Sequence, residues 1–130
     1  MNDPVFETKA MIAGMRPAIQ PGEFAFVIWP KDKVWPKGTR ASIVEAEGLS
    51  LVVPIDAAPS DALAMRCITL QVHSSLEGVG LMAAVSDTLA KSGIPANVIA
   101  GYHHDHVFVP THQAQTALDL LMTLQQSATE

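Results

Sequence analysis

The chain of 130 residues has a single cysteine, Cys67, so no intramolecular disulfide can form and the composition fits a reducing compartment. Charge is scarce, at 16% of residues against 48% hydrophobic. So little charge on a small globular chain predicts apolar surface covered by a second subunit, and a homodimer is the expectation. Basic residues are the scarcer sign: eight Lys and Arg against thirteen Asp and Glu leave a net charge of -5. That removes the basic footprint of a nucleic-acid binder. No apolar run approaches the ~20 residues of a membrane-spanning helix. Met1-Asn2-Asp3-Pro4 lacks the basic start and apolar stretch of a signal peptide. These absences predict a cytoplasmic protein that engages neither nucleic acid nor membrane. The length suits one compact domain, or two very small ones sharing a core.

What is present reads as alternating strands and helices. Phe6 to Met15 carries apolar residues at helical spacing and stops before Pro17. Glu23 to Trp29 is rich in aromatic and β-branched residues and predicts a strand. A loop with two prolines follows to Arg40, then two strands, Ser42 to Glu45 and Leu49 to Pro54, around a tight turn at Glu47-Gly48. Asp56 to Ala64 predicts a short helix capped by Asp56 or Ser60. In Arg66 to His73, Cys67, Thr69 and Gln71 alternate with Ile68, Leu70 and Val72, the period of a strand with two distinct faces. Ser74 and Glu77 have capping-box spacing for a helix from Leu76 to Lys91, and Gly93 is placed to end it in the left-handed conformation. Two short strands, Ala96 to Gly101 and His106 to Pro110, flank a polar tip. Thr111 then opens a helix with apolar residues every three or four positions. The order β-α-β-β-α lacks the fourth strand of a ferredoxin-like βαββαβ unit. One of the N-terminal strands is expected to fill that place, with the two halves, 1–64 and 65–130, interleaved.

The run from Val72 to Pro110 resembles the ACT-domain superfamily, the regulatory modules of amino-acid metabolism. It is most similar to small stand-alone proteins with two ACT-like halves, related to aspartate kinase regulatory domains. The resemblance rests on Gly78-Val79-Gly80, Ser92-Gly93-Ile94, Asn97-Val98 and Asp105-His106-Val107-Phe108-Val109-Pro110, with Glu47-Gly48-Leu49-Ser50-Leu51 as a looser match in the first half. It implies an α+β fold of ferredoxin-like βαββαβ type: two interleaved ACT-like halves, antiparallel sheets and helices on one face. It also implies binding of a small molecule, such as an amino acid, at an interface between ACT units, with no cofactor and no catalysis.

The candidate ligand-binding residues are Ser74, Ser75, Glu77, Gly78, Val79, Gly80, Asn97, Val98 and Tyr102. Free N–H groups at a helix entrance suit a carboxylate, and Gly78 and Gly80 would let a ligand approach the backbone. The competing reading of those glycines is close packing of the helix. His73, His104 and His106 form an alternative, a transition-metal site, because the ends of strands one and three meet in an antiparallel pair. The competing reading there is a solvated hairpin tip. A Ser-His-Asp set from Ser74 or Ser75, His104 and Asp105 fails because adjacent strand residues point apart. The loop Trp29 to Arg40, with Lys31, Lys33, Lys37 and Arg40, reads as a solvated tip or as a grip for an anion or a protein. A purely protein–protein interaction module is the remaining alternative.

Overall fold

A computed structural model describes residues 7–129. The readings made on Met1 to Pro4 and on Phe6 lie outside those residues. The elements in chain order are α1 (Thr8–Ala13), β1 (Ala18–Ile19), β2 (Phe24–Trp29), β3 (Ala41–Glu45), β4 (Gly48–Pro54), β5 (Met65–Leu70), α2 (Leu81–Ala90), β6 (Asn97–Ala100), β7 (Asp105–Pro110) and α3 (Ala114–Thr129). Single 3-10 turns at Ile55–Ala57 and Thr111–Gln113 lead into β5 and α3.

All strands join one antiparallel sheet in the order β3-β4-β2-β5-β7-β6. The missing neighbour of β5 is supplied from the N-terminal half by two pieces. Ala18 and Ile19 pair with Thr69 and Ile68, and Phe24 pairs with Met65. Backbone bonds from Gln20 N–H to Cys67 O (2.8 Å) and from Gln71 N–H to Met15 O (2.6 Å) continue this seam on both sides. The ferredoxin-like arrangement is thus completed by strands that precede it in the chain, and the halves interleave.

The helices lie on one face. Met11 and Met15 of the α1 region, Leu81, Val85 and Leu89 of α2, and Ala114, Ala117 and Leu121 of α3 enclose Ile68, Leu70, Val107 and Val109 of the central strands. Burying these side chains, with the Met, Leu, Ile and Val residues worth about 1.5–3 kcal/mol each, is the main stabilising term for this layer. The other face is also filled, by Phe24, Val52, Met65, Cys67 and Phe108. Ile99 and Ala41, on the opposite edge strands β6 and β3, both pack on that second cluster. The sheet therefore curls until its edges approach each other.

Three predicted boundaries shift, each for a local reason. The helix predicted from Leu76 starts at Leu81, because Gly80 has φ +104°, outside the right-handed helix. The Ser74/Glu77 capping box is not formed; Ser75 Oγ instead accepts from the Glu77 N–H at 3.0 Å in a local turn. The helix predicted for Asp56 to Ala64 shrinks to Ile55–Ala57, because Pro59 holds Ala58 extended (φ -98°, ψ 160°). Thr111 does not cap α3; its hydroxyl is buried without a hydrogen-bond partner. Gly93, by contrast, is left-handed (φ +69°) and ends α2, with Ile94 N–H bonding back to Leu89 O at 3.0 Å.

Candidate functional site

The chain between β5 and α2 rises away from the sheet and leaves a cleft of about 230 Å3 in front of the helix. Ser74, Ser75, Gly78 and Gly80 line one side; Ala100, Gly101, His104 and Asp105 of the β6–β7 hairpin line the other. Met11 of α1 forms part of the wall. The N-terminus of α2 opens here with no side-chain cap. Its first ladder bond is Ala84 N–H to Gly80 O, so the preceding amides of the first turn, on the lining residues Leu81, Met82 and Ala83, have no partner within the helix. Facing them is the partly buried Asp105 carboxylate, which accepts from Ser74 Oγ at 3.3 Å. One space thus holds a positive pole from backbone and a negative pole from a side chain.

The remaining predicted residues fall outside this lining. Val98 packs against the helix-side core, and Asn97 is exposed on β6. Val79 and Tyr102 are 78% and 75% exposed, and Glu77 is exposed as well. His104, Asp105, Ala100 and Gly101 are lining residues that the candidate ligand set did not include. The signal for them was the fold itself, which brings the start of β7 against the end of β5, Asp105 opposite Leu70.

Gly78 and Gly80 make contacts that favour close packing. A β-carbon on Gly80 would stand 2.7 Å from Thr8 Cγ2, and one on Gly78 would stand 3.0 Å from Met11 Sδ. The Thr8 hydroxyl also donates to Val79 O. Both glycines thus let α1, rather than the sheet, approach the loop.

The histidines separate. His73 and His103 approach to 5.2 Å between ring centroids, with Tyr102 beside His103 at 5.0 Å. His106 turns to the opposite face, where its Nδ1 meets Thr69 Oγ1 at 2.9 Å. His104 precedes β7, so strand alternation does not govern it, and it lines the cleft beside Asp105. Among the described residues no three His, Cys, Asp or Glu side chains are grouped to hold a metal ion. In the Trp29–Arg40 loop, the Trp29 indole donates to Lys33 O and Val34 O at 3.3 Å and Lys33 Nζ lies 4.6 Å from its ring. The loop is folded on itself.

Burial, and then the charges of His104 and Arg40, hold the His106 imidazole below its ordinary pKa, with Asp105 acting in the opposite sense. Because the unfolded chain binds that proton more readily, the contribution of neutral His106 is complete above ~6.5 and is lost as pH falls below it. His106→Gln, which can keep the bond to Thr69, should therefore flatten the loss of stability between about pH 7 and 5. Urea denaturation across that range checks this, and parallel curves for the two proteins would refute it.

Two ACT-domain family models match the chain, one over residues 6–68 and the other over 63–123. The chain belongs to the ACT-domain family. The two matches overlap at the start of β5, the strand that pairs with both halves. Among solved structures, a Vibrio cholerae protein of unknown function, described as a possible transport protein, is similar at 37% identity and TM-score 0.72. It is matched over 87% of this chain and 92% of its own. An Agobacterium tumefaciens protein is similar at 20% identity and TM-score 0.67, over 95% and 91%. An aspartate kinase from Clostridium acetobutylicum shares the fold at 11% identity and TM-score 0.64, over 85% of this ACT protein and 34% of the kinase. This chain spans about a third of that enzyme. Comparison with curated proteins finds no match. No helix among the described residues is long and apolar enough to cross a membrane.

Proposed function

We propose that this ACT protein is a non-catalytic regulatory sensor whose cleft between the β5–α2 loop and the β6–β7 hairpin binds a free amino acid. Family membership supports a ligand-binding regulatory role. The observation that carries the finer reading is the pairing of poles in one 230 Å3 space. Free amides at the start of α2 suit an α-carboxylate, and Asp105, oriented by Ser74, suits an α-ammonium. Ser75, Gly78 and Gly80 form the floor, and His104 flanks the opening. Val79 and Tyr102, exposed at the rim, are where a second copy in a homodimer would close over the ligand. Closure of that kind links binding to subunit arrangement, since a ligand moves an equilibrium only by its differential affinity.

A thermal-shift panel of the proteinogenic amino acids on untagged protein tests this. One amino acid at about a hundred times its dissociation constant should add ~2.7 kcal/mol, a rise of several degrees. Asp105→Asn should weaken that binding by about tenfold or more, because a charged hydrogen bond is lost. If no amino acid raises the melting temperature, or if Asp105→Asn binds as tightly as the parent, the proposal fails.

A further inference from the structure

The face of the sheet turned away from the helices carries a second space, separate from the cleft. The curl of the sheet encloses about 70 Å3 between Arg40, Ala41, Cys67, Ile99, His106 and Phe108. A narrower apolar groove, sharing Ala41 and Ile99, continues past Phe26, Ile43 and Leu51. Phe26 and Ile43, on different strands, remain 43% and 56% exposed beside it. The polar end is the mouth. Arg40 places its guanidinium carbon 4.7 Å from the Phe24 ring centroid. Among the described residues the one ion pair is Lys91 with Asp87, at 2.9 Å, so Arg40 meets no carboxylate there. The other two polar groups of the space contribute no countercharge. Burial raises the Cys67 thiol pKa and so keeps it protonated, and His106 spends its Nδ1 on Thr69.

We propose that the inside of the curled sheet binds a short monocarboxylate with an apolar tail, its carboxylate on Arg40 and its tail along Phe108, Ile99 and the adjoining groove. A planar guanidinium matches a carboxylate through two parallel N–H···O bonds. Arg40, exposed at the mouth of a largely apolar space, is the one cation there and pairs with one negative charge. An amine of the same length meets Arg40 as a like charge. A carboxylate without a tail leaves the apolar wall in water and loses the burial term.

The wild-type protein with labelled isoleucine methyl groups tests this directly, using hexanoate, hexylamine and acetate as probes. Hexanoate should shift the Ile99 and Ile43 methyl signals saturably and raise the melting temperature, while hexylamine and acetate leave both unchanged. Arg40→Gln should weaken hexanoate by about 10- to 100-fold, the range for losing a charged hydrogen-bonding partner. Arg40→Lys, which keeps the charge without the fork, should fall between. Asp105→Asn should leave hexanoate affinity unaltered, which separates this site from the amino-acid cleft. The proposal is overturned if hexanoate leaves the Ile99 methyl unmoved, if hexylamine moves it equally, or if a folded Arg40→Gln binds as well as the parent.

Discussion

Phe108→Ala should destabilise the protein by about 3–5 kcal/mol, the cost of removing a buried aromatic ring and leaving a cavity. Phe108 is 2% exposed at the centre of β7, where it packs edge-to-face on Phe24 and Phe26 at centroid distances of 6.2 and 5.4 Å. Each such pair adds about 0.5–1.5 kcal/mol beyond burial. The ring stands on the second layer of the sheet, away from the helices. A loss of this size, read as a lower urea midpoint with unchanged slope, would show that the curled face is a true core. A loss of less than about 1 kcal/mol, near the centre of ordinary point-mutant effects, would mean that the face yields and that the curl is not held by packing.

Gly80→Ala should be nearly as damaging, at about 2–4 kcal/mol, combining left-handed backbone strain with overpacking. At φ +104° any β-carbon is strained, and here it would also meet Thr8 Cγ2 at 2.7 Å. The two parts are separable. Thr8→Ser removes that methyl and keeps the hydroxyl that donates to Val79 O. The double variant should therefore recover the part due to the methyl, leaving about 1–2 kcal/mol of strain and the tight contact with the retained Thr8 Oγ1 at 3.0 Å. Gly93 supplies a control, with φ +69° and no atom within 4 Å of an added β-carbon. Gly93→Ala should carry the strain alone. Strict additivity of Thr8→Ser and Gly80→Ala in denaturation experiments would show that the loop does not rest on α1. The glycine that invited a ligand-binding reading thus has a packing role of its own, and a loss of binding on its substitution must be measured on folded protein.

Much of the second half was legible because its signals are local. Alternation from Arg66 to Val72 identified a strand with two faces, and Ile68 and Leu70 do enter the helix-side core while Cys67 enters the other. The period of the last helix placed Ala117 and Leu121 inward. The start of α2 was misplaced because Ser74 and Glu77 have the spacing of a capping box, and spacing carries no information about the dihedral angles of Gly80. β1 was missed because two residues after Pro17 have no periodicity to read; they form a strand only because β5 offers its edge.

The same division holds for the candidate sites. Composition was enough to exclude a disulfide, the order of elements to expect a ferredoxin-like α+β unit, and the resemblance of the Val72–Pro110 run to ACT domains to mark the Ser74–Gly80 segment. Those features rest on residue type and on neighbours a few positions apart. Tertiary structure alone decided that Asp105 faces the start of α2, that His106 turns from His104 to Thr69, and that Arg40 meets Phe24 and Cys67 across the sheet. Each depends on residues tens of positions apart, joined by strand pairing and by a curl that grows from the twist of successive strands. Geometry of that kind is a property of the whole sheet and is written in no single segment of the chain.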